Sequence, residues 1–156
     1  MSLAALLWAL ILALSAATSI GGMPRSMMGK MRDLHLPSSL MRPAVAWAHL
    51  YTQLLLAVGL VFARGITAWL VGVAGVFLAT IYLVLIIRAR GSVCACLSVT
   101  PRPITNLTVL RNVAILVLAI MGLSWTYAGM TELLAFLPFA VAIACEVVSA
   151  SRHSRV

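Results

Sequence analysis

Charge is what this chain has least of: 9% of its 156 residues are Asp, Glu, Lys or Arg, and three are acidic. With 63% hydrophobic residues beside them, too few polar groups remain to coat a soluble globule. The chain is therefore expected in a bilayer. It also lacks the alternation of apolar and polar residues that marks a membrane barrel strand. Backbone hydrogen bonds in hydrocarbon must then close within each segment, which leaves helices. Cysteine is scarce as well, with Cys94 and Cys96 one residue apart and Cys145 far along the chain. A zinc site needs four ligands, and His35, His49 and His153 are scattered, so no metal centre is expected. No basic face with base-reading partners accompanies the net charge of +8, which sets nucleic acid aside as a partner.

What is present is a set of five long apolar runs, at residues 3–20, 44–62, 66–87, 112–128 and 133–150. Each is close to the roughly 20 residues that cross the hydrocarbon core. They predict an all-α, polytopic transmembrane helical bundle with four or five spans, the fifth weakened by Pro138, Cys145 and Glu146. No soluble-domain boundary or repeat interrupts them. Residues 1–156 thus read as a single integral membrane domain with a cysteine-bearing loop at 88–111, where Pro101-Arg-Pro103 breaks helix before the fourth span. The first run has no basic residue ahead of it and stays apolar past Ala16-Ala17, so a retained span is expected rather than a cleaved signal peptide.

With five spans, ten of the eleven basic residues fall on one side: Arg25, Lys30, Arg32, Arg42, Arg88, Arg90, Arg102, Arg111, Arg152 and Arg155. Only Arg64 falls on the other. Because cytoplasmic loops retain Lys and Arg, this puts the amino terminus outside and the Cys94/Cys96 loop in the cytoplasm. The surplus positive charge reads as topology. After the first span, Met27, Met31 and Leu34 share a helical face, the pattern of a short helix in the headgroup plane; no cysteine or histidine is grouped with these methionines to make a soft-metal site. In the third span Ala68, Gly72, Gly75 and Ala79 line one face and let another helix approach closely, a face that would also serve a homodimer.

Three constellations carry candidate chemistry. In Cys94-Ala95-Cys96 two thiols are close enough for an intramolecular disulfide whose strained small ring is readily reduced. Arg88, Arg90 and Arg102 favour the reactive thiolate if the loop folds back on itself. The plain alternative is two incidental loop cysteines. His49 and Gln53, at i and i+4 with Thr52 beside them, are costly within a span unless they face the bundle interior, where they would hydrogen-bond a quinone headgroup as a cofactor; otherwise His49 simply reaches the interface. Cys145-Glu146, near the end of the fifth run, offers a third thiol for the pair, or else an inert small hydrophobe beside a carboxylate that pairs with an arginine.

Taken in order, Gly29-Lys30-Met31-Arg32-Asp33, Gln53, Arg90-Gly91, Cys94-Ala95-Cys96 and Leu110-Arg111-Asn112 resemble the methylamine utilisation protein MauE family, grouped with DoxX-like redox-associated membrane proteins. The resemblance implies a multi-pass protein of the bacterial inner (plasma) membrane. It also implies a thioredoxin-like partner and a part in maturing methylamine dehydrogenase, whose small subunit is extracytoplasmic and rich in disulfides. This chain departs from the family's usual Cys-Gly-Cys-Phe-Gly with Cys94-Ala95-Cys96-Leu97-Ser98, and has Gln53 where glutamate is frequent. Both thiols survive while a carboxylate is lost, which favours thiol/disulfide exchange over a protonation step. No reaction on a small substrate is implied. The competing reading is a structural or assembly subunit of a membrane complex. A small-solute transporter would want broken helices or paired intramembrane charges, at which only Pro138 and Glu146 hint. An extracytoplasmic partner conflicts with a cytoplasmic cysteine loop; a re-entrant loop or a different span count would reconcile them.

Overall fold

The structure, a computed structural model, describes residues 2–33, 36–91, 93–94, 102–123 and 134–153. Its helices are α1 (Leu3–Ile20), α2 (Arg25–Asp33), α3 (Pro43–Phe62), α4 (Ile66–Arg88), α5 (Asn106–Leu123) and α6 (Phe136–His153). Between α4 and α5 lie two short strands, β1 (Val93–Cys94) and β2 (Arg102–Pro103). Among the described residues four helices, α1, α3, α4 and α5, are long and apolar enough to cross a membrane, and the apolar part of α6 is shorter, Phe136–Ser149. The all-α transmembrane bundle expected from the sequence is what the chain forms.

Local chemistry sets the helix ends. Ser2 Oγ accepts the Ala5 N–H at 3.1 Å and caps α1. Pro43 opens α3, where its missing N–H costs nothing. Between α3 and α4 the chain turns within residues 63–65, and Gly65 holds φ +60° and ψ −135°, a conformation open to glycine. So tight a turn makes the two helices antiparallel neighbours. α5 starts at Asn106, six residues before the expected span, so the connection after Arg88 is shorter than the expected loop. Residues 106–111 were expected in the loop, yet the polar groups at this end of the helix find partners close by. Thr108 Oγ1 accepts the Thr105 N–H at 3.3 Å, and Asn112 Nδ2 donates to the Thr108 carbonyl at 2.8 Å.

α1 is the most enclosed span, with 44% of its residues buried against 28% for α3 and for α4. It packs against α3 and α5, and α5 in turn against α4 and α6. Trp8, Leu12 and Leu118 are the largest fully buried side chains. Leu55, Phe62, Ile66 and Phe77 point outward, as residues facing lipid do. Lipid is as apolar as these side chains, so close packing rather than the hydrophobic effect holds the helices together. Small residues provide it: a Cβ on Gly72 would lie 2.9 Å from Leu123 Cδ1, and one on Gly75 2.9 Å from Trp8 Nε1. At Gly72 and Gly75 the face expected to admit a neighbouring helix, and considered for a homodimer, is thus met within the chain by α5 and α1. Met31, on the apolar face of α2, is buried, and α2 rests on α3 and touches β1.

Candidate functional site

The base of the cysteine loop is closed by four sets of contacts. Ile86 and Ala89 at the end of α4 bury against Ile104. The Gly91 N–H donates to the Ile104 carbonyl at 3.4 Å, where Gly91 takes φ +90°. Arg90 Nη2 donates to Asn106 Oδ1, tying the end of α4 to the start of α5. β1 and β2 then pair antiparallel, Val93 opposite Pro103 and Cys94 opposite Arg102. The chain therefore does fold back on itself, with an arginine backbone directly across from that of Cys94. Cys96 lies outside the described residues. The loop's basic residues were expected to sharpen the thiol if it folded this way, and the strand register meets that condition for Arg102 at the level of the backbone.

About 9 Å below the end of α4, six residues at 1.5 Å rise, lies a second polar group. Gln53 is 3% exposed and donates through Nε2 to Ser15 Oγ at 3.2 Å and to Tyr82 Oη at 2.7 Å. Tyr82 Oη is also 2.7 Å from His49 Nε2. Because the Gln53 amide gives both of its hydrogens away, Tyr82 has its own proton to offer to a bare His49 Nε2, or else accepts a second hydrogen bond from it. His49 and Gln53 do share one site, as their i, i+4 spacing indicates, and the site joins α1, α3 and α4. Sequence reasoning missed Tyr82 and Ser15. Tyr82 carried a usable signal, since a tyrosine within an apolar span needs a partner for its hydroxyl. A quinone headgroup bonded here would have to displace one of these existing bonds. Gln53→Leu is expected to lower the unfolding free energy in a steric-trap or mixed-micelle titration by about 1 kcal/mol, between the mean and the maximum for membrane side-chain hydrogen bonds. A loss below the error of that measurement would show that the network does not hold the three helices.

A third group joins α5 to α6. Arg111, 8% exposed, donates through Nη1 to Glu146 Oε2, while its Nε is buried with no hydrogen-bond partner. Cys145, next to Glu146, is a free and buried thiol. Glu146 therefore pairs with an arginine, the role the sequence suggested for its carboxylate. Arg111 lies five residues into α5, so Cys145 sits in the half of the bundle nearer the cysteine loop. Among the described residues no three His, Cys, Asp or Glu side chains converge on a possible metal site.

No curated protein and no solved structure gives a significant match to this chain. A family match does exist, over residues 1–125, and it spans α1 to α5 with the whole cysteine loop; among the described elements α6 lies beyond it. Together with four helices able to cross a bilayer, this shows that the chain belongs to the family of the methylamine utilisation protein MauE and is a multi-pass membrane protein.

Proposed function

We propose that this protein is a thiol/disulfide redox protein of the bacterial inner membrane, in which Cys94 and Cys96 exchange electrons with a thioredoxin-like partner. The exchange supports maturation of a target such as methylamine dehydrogenase. The reading is carried by one observation: β1 and β2 fold the loop so that Cys94 pairs with Arg102 at the mouth of a braced hairpin. An arginine beside a thiol favours the thiolate, the form that attacks a disulfide. In the forward step one thiolate attacks the partner's disulfide and forms a mixed disulfide. The second thiol of the pair then attacks that bond. The pair leaves as a disulfide and the partner as a dithiol, with two electrons and two protons passed and no further oxidant needed. The reverse step balances in the same way. The ten basic residues on one side favour a cytoplasmic loop with the amino terminus outside.

A mixed-disulfide trap tests this. Cys94→Ser and Cys96→Ser each remove one thiol, so the variant that keeps the attacking cysteine should accumulate a covalent complex that reductant dissolves. The captured protein, identified by mass, is expected to carry a thioredoxin-like thiol pair, and its compartment reports the side on which the loop works. Capture of nothing by either variant would sink the redox reading in favour of an assembly subunit with incidental cysteines.

A further inference from the structure

At the end of the bundle away from the cysteine loop, a cavity of about 560 Å³ opens beside the turn between α3 and α4. Ala63, Gly65 and Ala68 leave the space where helix ends meet, and Leu60 gives it an apolar wall. Arg64 and Trp69 also line it, and both are exposed, so they stand at its open edge. Its depth is set by the turn: Phe62 ends one span and Ile66 begins the next, and both face outward, so the cavity lies where acyl chains give way to headgroups. Among the described residues the Arg64 guanidinium makes no ion pair. On the five-span charge reading Arg64 is also the exception, the one basic residue on the side opposite the other ten.

We propose that this cavity binds a phospholipid with an anionic headgroup. A soluble anion would use the guanidinium and leave the apolar space empty, whereas a neutral amphiphile would do the reverse. A zwitterionic lipid would bring a cation for which the lining offers no carboxylate among the described residues. An anionic lipid uses every feature: phosphate on Arg64, chain against Leu60, and Trp69 at the interfacial rim where such rings settle.

The test uses Trp69 as a local reporter, with Trp8, Trp47 and Trp125 replaced by phenylalanine and the protein reconstituted in phosphatidylcholine vesicles. Bromine-labelled phosphatidylglycerol should quench Trp69 at about one-fifth of the concentration needed for bromine-labelled phosphatidylcholine, the preference one interfacial cation supplies. Arg64→Gln should abolish that preference, Arg64→Lys should keep most of it, and Ala68→Phe should weaken quenching by both lipids by filling the cavity. The reporter's position separates this site from the general attraction of anionic lipid to the ten-cation end. As a check that needs no tryptophan replacements, native mass spectrometry of the otherwise unaltered chain should retain one phosphatidylglycerol, lost in Arg64→Gln. Equal quenching by the two lipids, a preference that survives Arg64→Gln, or competition by inorganic phosphate would each overturn the proposal.

Discussion

Replacing Trp8 by alanine is expected to lower the stability of the bundle by about 2–3 kcal/mol, measured by steric trapping in bicelles. Trp8 is 2% exposed and sits in the core to which α1, α3, α4, α5 and α6 contribute. In soluble cores such a truncation costs about 3–5 kcal/mol, part of it the loss of transfer out of water. Here the unfolded helices remain in lipid, so that part falls away and the emptied space and lost dispersion contacts remain. The indole makes a sharper test through its neighbour. Its Nε1 is buried without a hydrogen-bond partner and lies 2.9 Å from where a Cβ on Gly75 would stand. Gly75→Ala should therefore cost about 1–3 kcal/mol, the range for overpacking a tight contact. Trp8→Phe removes both the orphan donor and the obstructing atom, so Gly75→Ala in that background should cost much less. Equal costs in the two backgrounds would mean that the glycine is there for some reason other than the indole.

How far the sequence alone reveals this molecule depends on the kind of signal. Spanning helices are legible because bilayer thickness imposes a length and a composition on each segment, and α1 follows its apolar run residue for residue. The start of α5 is less so. Arg111 and Asn112 look like boundary residues by polarity alone, and only the partners Glu146 and the Thr108 carbonyl explain how the helix runs through them. The His49 and Gln53 pair is visible as a periodicity, but its third and fourth members come from α1 and α4, and no local pattern announces which spans will meet. The small-residue face of α4 announces close packing without naming the partner, which proves to be Trp8 and Leu123 of the same chain. Pairing of Cys94 with Arg102 across the loop is of the same kind: two prolines and a glycine signal a turn, but register belongs to the folded backbone.

The ion pair between Arg111 and Glu146 carries the other large effect, and its two ends are unequal. Arg111 is 10% exposed in its side chain against 33% for Glu146. Removing Glu146 leaves a guanidinium deep in the bundle with one acceptor fewer, on top of an Nε already without a partner. Removing Arg111 leaves a carboxylate that water and headgroups can reach. Breaking a fully buried pair costs about 3–5 kcal/mol, and the partial exposure of Glu146 reduces this to about 2 kcal/mol for Glu146→Gln. Arg111→Met should cost less, and Arg111→Met with Glu146→Gln should recover much of the loss, since no charge then stays buried unpaired. The same pair fastens α6, which lies beyond the family match, to α5 within it. Loosening it should expose Cys145, which the packed helix keeps buried. With Cys94 and Cys96 replaced by serine, alkylation of Cys145 should quicken by about thirtyfold in Glu146→Gln, the factor that about 2 kcal/mol gives for a local opening. If alkylation is unchanged, or if the double variant loses as much as the two single ones combined, the ion pair is not what holds α6 in place.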